Sequence, residues 1–187
     1  ERLRARRWRR SSITSRSKCR RWMVTRWWSP PAAPVGLWGG VHLQYRSAID
    51  VAIDPVRDAG MNMLRVAGSM AYESDEFLDA CDAQGIIVWQ DFMFSSMDYP
   101  HEDATFMQSL REAAAQQLAR WQARPSITVL CGNCECERQA AMWGAARANS
   151  TSPLFERELA DLSRALCPGI PYWPSSAHGV AFPQQDS

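Results

Sequence analysis

Short apolar runs alternate with helical segments from residue 45 onward, and this alternation limits what the chain can fold into. The runs of buried-strand type are MNMLRV (61–66), IIVW (86–89), SITVLC (126–131) and a fourth candidate, IPYWPSS (170–176). Because helical segments lie between these runs, right-handed βαβ units and a parallel sheet are expected. The sequence therefore predicts the α/β class.

Four helical segments are predicted from apolar spacing and capping residues. They cover residues 45–60, 74–84, 103–124 and, roughly, 153–166. The clearest is 103–124, whose predicted apolar face consists of Phe106, Leu110, Ala114, Leu118 and Trp121. In the second segment, Ser74 and the glycine that follows at Gly85 are natural N-terminal and C-terminal caps.

The length of the chain bounds the architecture. About four to five βα units fit, whereas a closed TIM (β/α)8 barrel needs eight units and about 250 residues. The body is therefore either an open α/β sheet or a partial TIM barrel. Residues 29–40 are rich in proline and glycine and are predicted to form a loop. We place the domain boundary in this loop, with an arm at residues 1–34 and the body at residues 35–187.

Charge is distributed unevenly between these two parts. Residues 1–26 contain eleven of the 21 Lys and Arg residues, whereas residues 27–187 contain the other ten and nineteen of the 20 acidic residues, a net charge of −9. An Arg- and Trp-rich arm is typical of nucleic-acid binding, in which Arg neutralises phosphates and Trp stacks on bases. The alternative, which we favour, is an irregular terminus with no such role.

No apolar run approaches the roughly 20 residues that cross a bilayer, and the N-terminus lacks the apolar region of a signal peptide. Six cysteines are too few for the disulfide framework of a small secreted protein. These observations predict no membrane segment and a reducing, cytoplasmic setting.

Polar side chains follow the predicted strands, where active sites of parallel α/β proteins gather. They are Arg65, Gln90, Asp91, Asn133, Glu135, Glu137, Ser175 and Ser176. The aromatic residues beside them are Trp89, Phe92, Phe94, Tyr99 and Trp173. Carboxylates and amides bind hydroxyl groups, and aromatic faces cover the apolar side of a sugar ring, so a polyhydroxylated ligand fits this set. Alternatively, these are only the polar groups found wherever strands meet loops.

The stretch CGNCECE, residues 131–137, holds three cysteines and two glutamates. A zinc site would need a second ligand pair, and a redox pair would need a helix N-terminus without a competing carboxylate such as Glu135. We favour a third interpretation, in which the cysteines are small side chains that fill the strand end and the pocket. No metal and no cofactor are expected.

Four motifs resemble the catalytic barrel of family-2 glycoside hydrolases, in particular the β-mannosidase branch. They are GMNMLRVAG (60–68), YESDEFLDACD (72–82), VWQDFMF (88–94) and PSITVLCGNCECE (125–137). Their order and spacing are specific, and the resemblance covers about residues 35–187. It implies the N-terminal part of a (β/α)8 barrel and hydrolysis of terminal β-mannosidic bonds by a retaining mechanism with two carboxylates.

The resemblance also implies roles for individual residues. Glu135 falls on the position of the general acid/base, Asp91 on a sugar-hydroxyl contact, and Arg65 on the arginine that orients the nucleophile. Asn133 lies just before the acid/base and is assigned to substrate binding. The aromatic residues expected against the sugar are Trp89 and Trp173.

The chain departs from the family pattern at two positions. Cys134 stands where many relatives have the asparagine that donates to the sugar 2-hydroxyl, and Ala67 stands where some have a tryptophan. The resemblance places the nucleophilic glutamate on a later strand than this chain reaches, so the chain alone is expected to be inactive. The alternative is an inactive barrel fragment that binds carbohydrate or a partner, and open sheet edges predict self-association.

Overall fold

The protein, described from a computed structural model, contains one parallel sheet of five strands. The description covers residues 37–39 and 50–176 of the 187-residue chain. The strands are β1 (Leu37–Gly39), β2 (Met63–Val66), β3 (Ile87–Asp91), β4 (Ile127–Cys131) and β5 (Tyr172–Trp173). Each strand pairs in parallel with the next strand along the chain.

The strand order decides between the two predicted architectures. A doubly wound sheet reverses its direction at a switch point, whereas the order here is β1-β2-β3-β4-β5 without reversal. Because right-handed crossovers that all step in one direction place every helix on the same face, this order is that of a (β/α)8 barrel. The described strands therefore form part of such a barrel, which confirms the α/β class and the partial TIM barrel.

The four predicted strands are confirmed, and one strand was missed. The loop predicted at 29–40 is wrong at residues 37–39, which form β1 and pair with β2 from Leu37↔Met63 to Gly39↔Arg65. Proline and glycine around these residues signal a turn, but three residues of backbone pairing suffice for a strand. The predicted arm at 1–34 and the predicted boundary beside it lie outside the described residues. The first described residues, β1, belong to the predicted body.

The four predicted helical segments form helices in the described residues, whereas residues 45–49 of the first segment lie outside the description. The helices are α1 (Asp50–Asp58), α2 (Asp75–Gln84), α3 (Ala104–Trp121), α4 (Cys136–Met142), α5 (Arg147–Ser150), a π-helix (Leu154–Glu158) and α6 (Leu159–Leu166). As predicted, the Ser74 side chain caps α2 by accepting from Phe77 N–H, and Gly85 ends it in the left-handed conformation. None of the described helices is both long and apolar enough to cross a membrane.

The observed helices differ from the predicted ones in two places. Helices α4 and α5 were missed because their sequence has no apolar periodicity. The predicted helix at 153–166 begins as a π-helix, and the Tyr172 hydroxyl donates 2.7 Å to the Phe155 carbonyl within it. In the π-helix the backbone hydrogen bonds differ from those of an α-helix, and the Tyr172 hydroxyl provides a donor for the Phe155 carbonyl.

The main core lies between the sheet and the helices. Its largest fully buried members include Ile53 of α1, Phe77 and Leu78 of α2, Leu118 and Trp121 of α3, Ile127 and Leu130 of β4, and Leu154 and Leu159 of the last helical segment. A second, smaller cluster holds Met63, Ile87 and Val129, with Trp89 packed against it. These alternate along the strands with the helix-facing residues, so they lie on the interior face of the barrel.

A bulge in β4 brings both faces into register. Val88 pairs with Ile127 but Trp89 pairs with Val129, so Thr128 is an extra residue. Its hydroxyl donates 3.4 Å to the Val88 carbonyl. Ile127 thereby packs on the helix side while Val129 packs on the interior side. Beyond the bulge, Cys131 pairs with Asp91 at the carboxyl edge of the sheet.

Candidate active site

Arg65 of β2 and Asp91 of β3 form an ion pair at the carboxyl ends of their strands. Nη2 of Arg65 lies 2.7 Å from Oδ2 of Asp91, and Nε lies 3.5 Å from Oδ1. Trp89 Nε1 donates to Oδ1 at 2.8 Å, and the Gly68 amide donates to Oδ2 at 3.1 Å. Asp91 is fully buried, whereas the Arg65 side chain is 23% exposed. Thus only the arginine side of the pair reaches solvent.

The ionisation of this pair follows from burial and from these contacts. Burial raises the pKa of Asp91, and the hydrogen bonds and charge of Arg65 oppose that rise. Burial disfavours the cation of Arg65, but its hydrogen bond to Asp91 and the charge of Asp91 outweigh this and raise its pKa. Both carboxylate oxygens accept hydrogen bonds, as the ionised form does. The pair therefore carries a buried negative and a partly exposed positive charge.

The hydrogen bonds leave Asp91 little capacity for a ligand. Each oxygen accepts from two donors, which matches the roughly four lone-pair sites that a carboxylate offers. A sugar hydroxyl would have to replace one of them, and the 3.5 Å bond from Arg65 Nε is the longest. The contact between Asp91 and substrate stays a prediction, and the structure shows Asp91 organising its protein neighbours.

The two predicted sugar-facing tryptophans lie at different depths. The Trp89 ring is half-buried, and the Arg65 guanidinium lies 5.7 Å from its centroid, within cation–π range. Trp173 is 44% exposed and ends β5 in register with Cys131, which is itself in register with Asp91. The structure thus brings Arg65, Trp89 and Asp91 into contact and leaves Trp173 at the rim.

Glu135 is the last residue of the loop that joins β4 to α4. It precedes α4 with φ 64° and ψ 12°, the left-handed region that non-glycine residues rarely adopt. Its side chain is 41% exposed, and Oε1 accepts a 3.3 Å hydrogen bond from Arg138 Nη1. The carboxyl group is therefore accessible from solvent, unlike that of Glu137, which is buried.

Hydrogen bonds hold the unusual backbone before Glu135. The Cys134 amide donates to the Phe94 carbonyl at 2.8 Å, and its carbonyl accepts from Ser96 N–H at 3.1 Å. The same residue forms single parallel bridges to Ser95 on one side and to Ser176 on the other. Parallel pairing therefore continues past the ends of the strands and fixes the position of the backbone next to Glu135 at the carboxyl edge.

Asn133 lies beneath this junction with its amide group engaged by the protein. Its Nδ2 donates to the Pro174 carbonyl at 2.9 Å, while Oδ1 accepts from Cys136 N–H at 3.0 Å and from the Ser175 hydroxyl at 2.8 Å. The side chain is buried. Asn133 thereby joins the end of β4 to the end of β5, and its predicted contact with substrate stays a prediction.

Gly68 is required by close approach of the backbone. A Cβ atom there would lie 2.3 Å from the Phe94 carbonyl oxygen, 2.6 Å from that of Phe92 and 3.2 Å from the Cβ of Cys134. No side chain fits without a backbone shift, because two of these atoms are backbone. The glycine was noted as part of a motif, but its role depends on the loop after β3.

The cysteines of this region are free thiols. Cys131 is buried, and burial raises the pKa of its thiol, whereas Cys134 and Cys136 are half-buried. Within residues 50–176, no three His, Cys, Asp or Glu side chains are grouped so that they could hold a metal ion. Cys131, Cys134 and Cys136 thus provide small side chains and backbone contacts around the site.

Comparisons with known proteins relate this arrangement to β-mannosidases. No protein-family model matches the chain. Bovine β-mannosidase is 47% identical over 90 residues, which are 48% of this chain and 10% of that protein. β-Mannosidase B of Thermothelomyces thermophilus is 34% identical over 145 residues, 71% of this chain and 17% of that protein.

The fold agrees with these sequence relatives. The crystal structure of β-D-mannosidase from Dictyoglomus thermophilum superimposes with a TM-score of 0.70 and 32% identity, over 79% of this chain and 19% of that one. The chain belongs to family 2 of the glycoside hydrolases, in its β-mannosidase-like branch. A family-2 β-galacturonidase from Eisenbergiella tayi, 22% identical with a TM-score of 0.54, shares the fold of this glycoside hydrolase. The chain spans about a tenth to a sixth of the curated β-mannosidases that it matches.

One contact of this glycoside hydrolase was missed by sequence reasoning. Ser176 was noted for its position after a strand, but not for the hydrogen bond that its hydroxyl accepts from Arg65 Nη2. Nothing in the sequence links two residues separated by 111 positions. The signal that could have found it is geometric, since both residues lie at the carboxyl edge of the same parallel sheet.

Proposed function

We propose that the complete protein containing this chain hydrolyses terminal β-mannosidic bonds with retention, with Glu135 as the general acid/base. The observation that carries the proposal is the position of Glu135. It follows a parallel strand at the same edge as the Arg65–Asp91 pair, in a chain 47% identical over 90 residues to a β-mannosidase. Active sites of (β/α)8 barrels lie at this edge.

The proposed mechanism gives Glu135 two tasks. Its carboxylic acid first protonates the leaving oxygen, while a second carboxylate about 5–5.5 Å away attacks the anomeric carbon. Its carboxylate then removes a proton from the water that hydrolyses the glycosyl-enzyme. Partial exposure of Glu135 suits this exchange of water and leaving group. We assign the nucleophile to a later strand, as the family resemblance implies.

The surrounding residues are proposed to bind the sugar. The exposed side of the Arg65 guanidinium provides donors for hydroxyl groups, and Trp89 provides an apolar face beside it. The buried Asp91 holds both groups through its carboxylate. Since a charge-assisted hydrogen bond has a fixed direction, this network preorganises the sugar-facing groups before substrate binds.

The test measures turnover by the complete protein on two aryl β-mannosides. One has an activated leaving group that departs without protonation, and the other has a poor leaving group that needs an acid. For the substrate with the poor leaving group, kcat/KM of Glu135→Gln is expected to fall by about 100-fold or more. For the substrate with the activated leaving group, the first step is expected to slow far less, because that group departs without protonation. Equal turnover of the poor leaving group by Glu135→Gln and the parent would refute the assignment.

Glu137→Gln is the matched control. It makes the same change two residues further on, in the buried turn of α4. We expect a smaller loss that is equal for the two leaving groups, because this side chain is not proposed to transfer a proton. If Glu137→Gln rather than Glu135→Gln is selective for the poor leaving group, with unchanged thermal unfolding, the acid/base is Glu137.

A second candidate is a non-catalytic carbohydrate-binding module. The exposed Trp173 at the rim, in register through Cys131 with Asp91, favours it, since aromatic faces bind sugars without any reaction. Calorimetric titration of the 187-residue chain with mannose and mannobiose measures binding directly. Heat of binding with no turnover by the complete protein would support the module, and turnover sensitive to Glu135→Gln would support the enzyme.

A further inference from the structure

Ser176 contacts both halves of the candidate site. Its hydroxyl accepts a hydrogen bond from Arg65 Nη2. Its amide donates to the Asn133 carbonyl at 3.1 Å, and its carbonyl accepts from Glu135 N–H at 2.9 Å. The residue is buried and forms a parallel bridge with Cys134. One residue therefore touches the sugar-facing cation through its side chain and the acid/base through its backbone.

The side-chain contact fixes the orientation of the Arg65 guanidinium. The same nitrogen, Nη2, donates both to Oδ2 of Asp91 and to the hydroxyl of Ser176. Because the guanidinium is planar and its donors form a rigid fork, two acceptors on different strand ends define its plane. With Asp91 alone, the orientation of the guanidinium would depend on the 2.7 Å bond from Nη2 and on the long 3.5 Å bond from Nε.

The backbone contact supports the conformation of Glu135. A non-glycine residue in the left-handed region is strained and persists only where its surroundings hold it. At Glu135 the bond from its amide to the Ser176 carbonyl is one such restraint, and the Cys134 pairing beside it is another. These restraints determine where the carboxyl group stands.

We propose that Ser176 is a positioning residue, whose hydroxyl holds the Arg65 guanidinium against Asp91 while its peptide group holds the backbone of Glu135. The expected effect of Ser176 on activity rests on the proposed function. Its effect on the orientation of Arg65 rests on the contacts alone. Ser176 acts through Arg65 and Glu135 and needs no contact with the reacting atoms.

Ser176→Ala separates the two contacts. It removes the hydroxyl and leaves the peptide group, so only Arg65 loses a restraint. In the complete protein, kcat/KM is expected to fall about 10-fold. The factor should be the same for the activated and the poor leaving group, because the acid/base stays in place. Ser176→Thr keeps a hydroxyl and is expected to restore kcat/KM to within about threefold. If the added methyl group prevents folding, Ser176→Cys keeps a weaker acceptor of similar size and should give an intermediate value.

Ser126→Ala is the matched control. Among the described residues, its hydroxyl has no hydrogen-bond partner, and it is buried just before β4, at the opposite end from the site. The same substitution there should leave both leaving groups unaffected. Thermal unfolding of every variant shows whether a loss of activity follows from a loss of fold.

A second readout needs no turnover. Arginine side-chain NMR of the 187-residue chain measures hydrogen exchange at Arg65 Nε, which the 3.5 Å hydrogen bond to Asp91 is expected to slow. Exchange is expected to accelerate severalfold in Ser176→Ala and to stay at the parent rate in Ser176→Thr and Ser126→Ala. Unchanged exchange in Ser176→Ala would overturn the proposal, whatever the activity.

The outcomes separate the two proposals. If the complete protein turns over no mannoside, or if Glu135→Gln has no selective effect, the proposed function fails while the exchange measurement still decides the role of Ser176. If the enzyme is active and responds to Glu135→Gln, a Ser176→Ala variant within twofold of the parent refutes the positioning role alone. An Ala loss that Thr and Cys do not repair, with folding intact, also refutes it.

Discussion

The amide of Gly68 lies 3.1 Å from Oδ2 of Asp91, and the space where a Cβ would stand is filled by the loop after β3. The missing side chain lets the backbone after β2 approach a buried carboxylate. In this way one glycine couples the charged pair of the site to the loop that pairs with Cys134.

Gly68→Ala is expected to destabilise the fold. The added Cβ would lie 2.3 Å from a backbone oxygen of Phe94, so the chain must shift, and overpacking of this kind costs about 1–3 kcal/mol. Urea denaturation measures the change in the free energy of unfolding. Gly144→Ala is the comparison for backbone strain without crowding, since Gly144 has a positive φ (83°), which Gly68 does not, and no atom within 4 Å of its Cβ position. No measurable loss in Gly68→Ala would contradict the close approach.

Asp82 is expected to stabilise the fold more than its neighbour Asp79. Oδ1 of Asp82 accepts from Ser126 N–H at 2.8 Å, and its Oδ2 lies 3.4 Å from Arg124, with both side chains 19% exposed. Asp79 also binds Arg124 but is 69% exposed. Asp82→Ala leaves a buried amide unpaired and should cost about 1–3 kcal/mol, whereas Asp79→Ala should cost under about 1 kcal/mol. Equal losses in chemical denaturation would show that the amide contact contributes nothing.

Stability should fall in alkaline solution because of the Cys81 thiol. Burial raises its pKa to about 12, whereas the pKa of an exposed thiol is about 8.5. The unfolded chain therefore loses this proton first. The stabilisation is fully present below about pH 8.5 and decreases as the pH rises towards about 12, at up to about 1.4 kcal/mol per unit.

The measurement compares the parent with Cys81→Ala between pH 8 and 10. The parent should lose more unfolding free energy over this range than the variant, by up to about 2 kcal/mol for one thiol. The lower starting stability of the variant, caused by its cavity, does not enter the slope. Parallel curves would mean that Cys81 ionises alike in both states.

Cys134→Asn is expected to increase activity if the proposed function holds. The family resemblance assigns an asparagine at this position to the sugar 2-hydroxyl, and a thiol is a weak donor. One added hydrogen bond is worth about 1 kcal/mol, so kcat/KM of the complete protein should rise about fivefold. Cys136→Asn, the same change within α4, should give no gain. A folded Cys134→Asn variant no faster than the parent would exclude this contact.

Local sequence signals predicted most of the elements and drew attention to Glu135. Apolar runs bounded by turn residues gave four strands, and Ser74 and Gly85 gave the ends of α2 because caps act within a few residues. Glu135 was singled out because it lies just past a predicted strand and completes a specific motif. The strand at Leu37–Gly39 was not predicted, since its pairing with β2 depends on backbone 26 residues away.

The sequence by itself determined the α/β class, the order of the elements and the family, because periodicity, caps and motifs are written in consecutive residues. Only the tertiary structure decided that Asp91 is saturated by its neighbours, that the amide of Asn133 joins two strand ends, and that Ser176 binds Arg65. Those contacts join residues up to 111 positions apart. They exist because parallel pairing brings successive strand ends to one edge of the sheet, and the register of that pairing sets which side chains meet there.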